Sequence, residues 1–429
     1  MSIEVTLNTL STLSIPNSAK IKSILEEACK SVEIVLEDIS WLDQWEISKE
    51  THNISHVSGK FFSIVGIHQK KKSAQLIHEQ AIINQPEIGL LGLIVRERDD
   101  HTECLVQAKM EPGNINLVQL SPTLQATYSN YTSVHKGKKP LFLDFFLDNK
   151  THKIIKDILQ PEQTHKFYKK NNRNIVVQVD TEFEIPDSFM WLKFDDLKKL
   201  QLVDNLVNMD LRSILSSIRD SIEIDSFDLF SQNEIDHWIK ENVKTYECEI
   251  RIVDLKNIPS CVYDKGIIKD TQNAFEVIGI HVRTNLREVS EWSQPLVRVP
   301  NQGMYGFITS RINGVVHFLV RFHPNVGTVD NIELTTTFDS LDASSMILYE
   351  EVINRDDSKI IFKCLQSEEG GRFYHYVNEN VLLEIPDYSS LTLDPRHKWL
   401  SFNQVHHFLN KGYFSMEARS IFSIYNESQ

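Results

Sequence analysis

Apolar residues recur at helical spacing just after Pro16-Asn17-Ser18: Ile21, Ile24, Leu25, Ala28, Val32 and Val35. That spacing predicts an amphipathic helix with a polar start signal. Short runs rich in Val, Ile and Phe follow at 61–68, 89–96, 103–109 and 175–179, and these predict strands. At 194–207 the residues Phe194, Leu197, Leu200, Val203 and Leu206 fall on one helical face. The second half repeats the order, with a helix near 232–245, strands between 273 and 385, and a helix near 401–411. Residues 208–230 keep helical spacing without a turn cluster, which predicts a helical connector. No βα rhythm and no Gly-rich fingerprint occur, so the pattern predicts an α+β fold with mixed or antiparallel sheets rather than a dinucleotide-binding domain.

The repetition extends to sequence. FFSIVGIH at 61–68 matches AFEVIGIH at 274–281, and Gln85-Pro86 matches Gln294-Pro295. Leu105-Val106 matches Leu319-Val320, Gly113 matches Gly327, LQPEQTHKFY at 159–168 matches LQSEEGGRFY at 365–374, and Trp191-Leu192 matches Trp399-Leu400. Blocks in one order, offset by about 210 residues, point to a tandem duplication with units 1–215 and 216–429.

Composition narrows the function. The 429 residues are 41% hydrophobic, enough for packed cores. A net charge of −14 argues against a nucleic-acid surface, though local arginines can still serve a small anion. No apolar run is long enough to span a membrane, and the N-terminus lacks the basic flank and apolar core of a signal peptide. Five cysteines at wide spacing, without CxxC, suit reduced thiols in a cytoplasm and give no zinc set.

Three clusters hold candidate chemistry. In EPGNINLVQLSPTLQATYSNY (111–131), strand alternation puts Gln119, Ser121, Thr123 and Gln125 on one face, turned either to water or to a sugar or base. Glu111, Asn130 and Tyr131 flank that face. In SEEGGRFYHY (367–376), Glu368, Glu369, Tyr374 and His375 are possible proton carriers. Gly370 and Gly371 permit close approach or a sharp turn, and Arg372 could hold a diphosphate. The plain alternative is a glycine turn with solvated charges. The matching first-half segment keeps Glu162 and Tyr168 and adds Lys166 and Arg173 for an anion, while Lys169 and Lys170 read as surface charge. In SGKFFSIVG (58–66), Lys60 either touches phosphate or is solvated, and only one of Phe61 and Phe62 is expected in the core. His52 and His56 lack a metal-site pattern, His406-His407 reads as surface, and His317 as a satisfied core histidine. No metal-ligand set emerges.

Together these blocks resemble the NDP-hexose 2,3-dehydratase family. The resemblance rests on SGKFFSIVG, EPG, VQLSPTLQAT with SNYTSVH, NRNIVV, WSQPL, GVVHFLV and SEEGGRFY, and spans nearly the whole chain. It implies two Nudix-like α+β units per subunit, a homodimer, and loss of water from an NDP-4-keto-6-deoxyhexose, dTDP-linked in expectation. It requires neither a redox cofactor nor a metal. On that reading Glu111, Tyr131, Glu369, Tyr374 and His375 share the base and acid roles, and Arg173 and Arg372 hold the diphosphate. Lys60, Gln119, Thr123, Gln125, Asn130, Tyr168, Glu368, Gly370 and Gly371 complete the binding site. The sequence departs from the pattern: HPNVG (323–327) replaces KMEPG, TTT (335–337) replaces SPT, and QNAF (272–275) replaces GKFF. The signature's front survives in the first copy and its back in the second, which predicts one degenerate pocket, with the first favoured. The alternative is a non-catalytic or half-inactive nucleotide-sugar-binding paralogue. Metal-dependent pyrophosphate hydrolysis is disfavoured, since Gly279 and Trp292 stand where its acids belong around REVSE (287–291).

Overall fold

A computed structural model describes residues 3–13, 15–71, 75–98, 100–127, 139–147, 152–219, 227–287 and 289–425. It is a mixed α+β fold dominated by four sheets. Gly89–Glu97 is the hub of the first large sheet, paired parallel with Asn171–Gln178 and antiparallel with Thr102–Met110. Lys153–Pro161 and Phe189–Lys193 extend its two sides. The second large sheet has the same order: Gly303–Ile312 lies parallel to Val377–Glu384 and antiparallel to Val315–Phe322, flanked by Lys359–Ser367 and His397–Ser401. Even a register shift recurs, at Ile154/Lys156 and at Ile360/Phe362.

The two small sheets cross between the halves. Val32–Glu37 pairs with Phe275–Thr284, and Cys248–Val253 pairs with Ser63–Lys71. Each half therefore lends the other a strand. The apolar core follows this exchange: Leu10, Ile21 and Leu25 of the N-terminal helices pack in one cluster with Ile280 and Val282.

At the centre, two loops dock reciprocally. The Gly113 N–H donates to the Gly370 carbonyl at 2.7 Å, and the His375 N–H donates to the Gly113 carbonyl at 2.7 Å. In the counterpart, the Gly327 N–H donates to Thr164 (2.7 Å) and the Lys169 N–H to Gly327 (2.9 Å). Phe167 and Phe373 meet edge-on, 5.9 Å apart, between the loops. A Cβ on Gly113 would sit 1.7 Å from the Phe373 carbonyl oxygen, so only glycine permits this approach.

Several sequence expectations shift. The first amphipathic helix, Ser18–Cys29, ends before Val32 and Val35, which lie on the exchanged strand. The helix expected over 194–207 stops at Leu200, and turns carry Val203 and Leu206 into the core. Within the expected connector, Met209–Leu215 is a fully buried helix packed on Met416–Ile424. Buried Arg212 and Arg419 join these helices, Arg212 Nε donating to Ser420 Oγ (3.1 Å) and Arg419 Nε to Ser213 Oγ (3.2 Å). His317 is the satisfied core histidine expected, but His406 is buried, not surface, because Phe402–Leu409 packs it inward.

Candidate active site

The docked loops wall a cleft of about 490 Å³ to which both halves contribute. Lys109 is the penultimate residue of the strand Thr102–Met110, and Glu111 follows that strand. Gln125 comes from Leu124–Ala126 and Asp210 from the buried helix Met209–Leu215. Glu162, Lys170 and Asn172 stand where Lys153–Pro161 turns into Asn171–Gln178. The second half adds Glu369, Gly371 and Arg372 from the docked loop, and Arg287, Trp292 and Gln294 at or near the strand Glu291–Arg298. Trp45 and His56 of the small sheet that contains Ser63–Lys71, with Phe61 and Phe62 just before that strand, form an aromatic wall. The Trp45 and Phe62 rings lie 4.9 Å apart, and the Arg372 guanidinium lies 4.4 Å over Phe62.

Four carboxyls line this cleft, and their hydrogen bonding separates them. Glu111 Oε1 accepts from Lys109 Nζ at 3.2 Å and from Gln125 Nε2 at 2.7 Å. Glu162 accepts from Asn172 Nδ2. The carboxyls of Asp210 and Glu369 make no hydrogen bond with any described residue. Burial pushes Asp210 well above the usual carboxylate range, and the nearby charges of Glu162 and Glu369 add to the effect. Burial and then Glu369 raise Glu162 to about 7. Burial also raises Glu369, against the pull of Arg372. The same burial lowers Lys109 and Lys170. Partly neutral carboxyls facing an open volume can give or take protons near neutrality.

Lys109 pairs with Glu111, whereas Arg372 and Lys170 rest on neutral groups. Arg372 donates from Nε to Gln85 Oε1 (3.1 Å) and from Nη1 to the Gly371 carbonyl (2.7 Å). Lys170 donates to the Glu87 carbonyl, and Arg287 to the Met110 carbonyl at 3.0 Å. Guanidinium and ammonium groups turned to a cleft in this way suit a phosphate-bearing ligand.

The expected site residues divide. Glu111, Gln125, Glu369, Gly371 and Arg372 meet in the cleft. Gln119 is buried, donating to the Asn205 carbonyl (2.8 Å) and Ser367 Oγ (2.7 Å), while Thr123 bonds the Leu105 carbonyl and the Ile94 N–H. The polar face inferred from alternation is thus mostly sheet and loop support, because the strand breaks at Pro122-Thr123. Glu368 accepts from Gln163 and Asn378, both at 2.6 Å, on the far side of the docked loop. Gly370 packs against Asn114. Arg173 pairs through both nitrogens with Asp157 on the outer sheet, outside the cleft. Lys60 is exposed and does not line the cleft. Tyr168 sits half-buried beside Val65, Ile67 and Ile82. Tyr374 packs on the first core and stacks on exposed His375 at 4.0 Å, away from the cleft. Asn130 and Tyr131 lie outside the described residues. Phe62 is the core member of its pair and Phe61 the exposed one.

Residues not singled out complete the site. Lys170, read as surface charge, is 5% exposed because the turn before Asn171 folds it inward. Lys109 lies one pleat from Glu111, a usable signal in hindsight. Asp210 was hidden in the expected connector, and nothing in its local sequence marks it.

The matching place in the second half is filled. Tyr305 and Tyr376 stand at the positions of Leu91 and Lys170, and their hydroxyls approach to 3.4 Å in the interior. Asn325 replaces Glu111, and buried Glu333 accepts there from Thr164 (2.7 Å) and Thr328 (2.6 Å). Glu417 replaces Asp210 and lies 3.6 Å from His165. Burial raises Glu417 to about 8 and holds His165 well below its ordinary value, so this is a contact between neutral partners rather than an ion pair.

The sequence model described as NDP-hexose 2,3-dehydratase matches residues 18–218 and 232–425. A Saccharopolyspora spinosa protein named dTDP-4-dehydro-6-deoxy-alpha-D-glucopyranose 2,3-dehydratase is 32% identical over 417 residues, covering 89% of this chain and 85% of its own. Proteins of the same name from Amycolatopsis orientalis (32% identity, 90% of this chain, 84% of theirs) and Streptomyces violaceoruber (33%, 85%, 86%) are similar to the same extent. Among solved structures, a Caenorhabditis elegans Ap4A hydrolase aligns with 26% of this chain and 86% of its own at 13% identity, but a TM-score of 0.18 carries no fold assignment.

Proposed function

The chain belongs to the NDP-hexose 2,3-dehydratase family, and on that premise we propose that its cleft removes water from a dTDP-4-keto-6-deoxyhexose. The product is the 3,4-diketo-2,6-dideoxy sugar nucleotide. The ketone at carbon 4 acidifies the carbon 3 proton; a base takes it, and the electron pair moves into the enolate. The enolate expels the carbon 2 hydroxyl, which leaves as water after taking a proton from an acid. The resulting enol tautomerises to the diketone. No electron leaves the substrate, so a redox cofactor has no task.

The observation that carries this reading is the pair of carboxyls, Asp210 and Glu369, that face the cleft without hydrogen-bond partners among the described residues. They are the acid and base candidates. Glu111, tied to Lys109 and Gln125, suits holding the sugar. Arg372 and Lys170 suit the diphosphate, and the aromatic wall of Trp45 and Phe62 suits the nucleobase. The test is incubation with dTDP-4-keto-6-deoxyglucose, a 3-ketoreductase to trap the diketone, and mass spectrometry. Protein-dependent loss of one water is expected. Tight dTDP-sugar binding without that loss would favour the non-catalytic paralogue.

The matching strand orders and the two matched stretches support a tandem duplication of Nudix-like units dividing near residue 215. Among the described residues no helix is long and apolar enough to cross a membrane, and all five cysteines are free, which fits a cytoplasmic enzyme. A homodimer is the expected assembly, and light scattering at the monomer mass would refute it.

A further inference from the structure

We infer that docking of the nucleotide diphosphate draws a proton from solvent into the cleft, and that the Glu162–Glu369 carboxyl pair receives it. Nucleotide binding would thereby charge the acid that the elimination consumes. The inference rests on the dehydratase reading and adds a coupling to it.

The geometry points to this in two ways. Lys170 and Arg372 form no ion pair with a described carboxylate; they lean on carbonyls and on Gln85. Their charge offsets the neighbouring carboxyls only through space. Glu162 and Glu369, in turn, have no cation in contact among the described residues. A doubly anionic diphosphate ester seated on Lys170 and Arg372 removes that offset and adds its own charge beside the pair. In a site shielded from water such charges interact strongly, and taking up a proton is the response open to a carboxyl.

The groups facing the pair come from every wall. They are Lys170 and Asn172 beside Glu162, Arg372 on the loop of Glu369, and Lys109 and Glu111 from the first large sheet. Asp210 faces it from its helix, Arg419 from behind Glu162, and Arg287 and His56 from the cleft rim. Burial already raises both carboxyls, with the charge of Glu369 adding to the effect on Glu162 and that of Glu111 to the effect on Glu369, so a modest added field suffices. The proton comes from solvent and rests on one carboxylate oxygen. It then passes to the departing hydroxyl as the base takes the carbon 3 proton, so charge and protons balance.

The experiment is calorimetric titration of the full chain with dTDP-glucose, a diphosphate ester whose phosphates do not titrate near neutrality, at about pH 7.5 in phosphate, HEPES and Tris. The dependence of heat on buffer ionisation enthalpy should give uptake of about half to one proton per ligand, and affinity should fall up to about tenfold per unit as pH rises above 7. Glu162→Gln keeps an oxygen for Asn172 and should bind with both dependences flattened. If that variant does not fold, Glu369→Gln, whose side chain has no hydrogen bond to a described residue to lose, serves instead. Binding with buffer-independent heat overturns the inference alone. Undiminished uptake in both variants also overturns it, by assigning the proton to Asp210 or a lysine. Absence of binding in the wild-type chain brings down the nucleotide-sugar reading itself.

Discussion

Individual side chains in the cleft are distinguished by what already holds them. Asp210 is 3% exposed and its carboxyl has no hydrogen-bond partner among the described residues, so its amide analogue breaks none of their bonds. Asp210→Asn should fold with unchanged or higher stability and lose turnover by about 100-fold or more, as expected for a proton-transfer group. A melting curve and the dehydration assay on one sample check both halves of that statement. Glu111→Gln should behave differently. It leaves the buried Lys109 ammonium without its carboxylate and sets an amide against Gln125, so roughly 1–3 kcal/mol of stability should go along with activity. Equal stability of the two variants by denaturant titration would contradict this division. The sequence pointed to Glu111 and Glu369 because unusual residue types cluster around them. It passed over Lys170 and Asp210 because burial, which gives each its importance, is not a property of neighbours in the chain.

At the level of elements, loops and helices set the distances that matter. Gly113 brings the first-half Glu111 to the second-half Glu369 through its two bonds to Gly370 and His375. Gly113→Ala would drive a methyl onto the Phe373 carbonyl, which should cost about 3 kcal/mol and open the cleft. Loss of activity at a temperature where circular dichroism still reports folded protein would show the loop effect apart from the stability effect. The helix Met416–Ile424 carries Glu417 into the interior. Its folded value of about 8 lies above the ordinary carboxylate range of the unfolded chain. The folded state therefore holds this proton more tightly, and its contribution to stability is lost as pH rises from about 4.5 through 8. Glu417→Gln should flatten that decline and stabilise the protein by roughly 2–4 kcal/mol near pH 8, read by denaturant titrations across pH. A variant with the wild-type slope would exclude Glu417 as its source.

For the whole molecule, the exchange of Val32–Glu37 and Cys248–Val253 means that neither half completes its small sheet alone. Together with the cross-bonded Arg212 and Arg419, this predicts one cooperative unfolding transition, despite a length that would accommodate two independent domains. Tryptophans occur in both halves, so fluorescence and circular dichroism should trace superimposable denaturant curves; two separated transitions would refute the prediction. The sequence by itself determined the α+β class, most elements, the repeated order and the family resemblance, because apolar periodicity and block similarity are written locally along the chain. It could not say that the divided signature forms one cleft. Glu111 and Glu369 stand far apart in sequence and meet only through backbone bonds at Gly113, which periodicity does not encode. The tertiary structure also decided which half keeps an open cleft. Tyr305 and Tyr376 look like ordinary strand residues until packing puts both rings where Leu91 and Lys170 leave space. Long-range contact and filled volume thus made this site, on elements that the local pattern of residues had already specified.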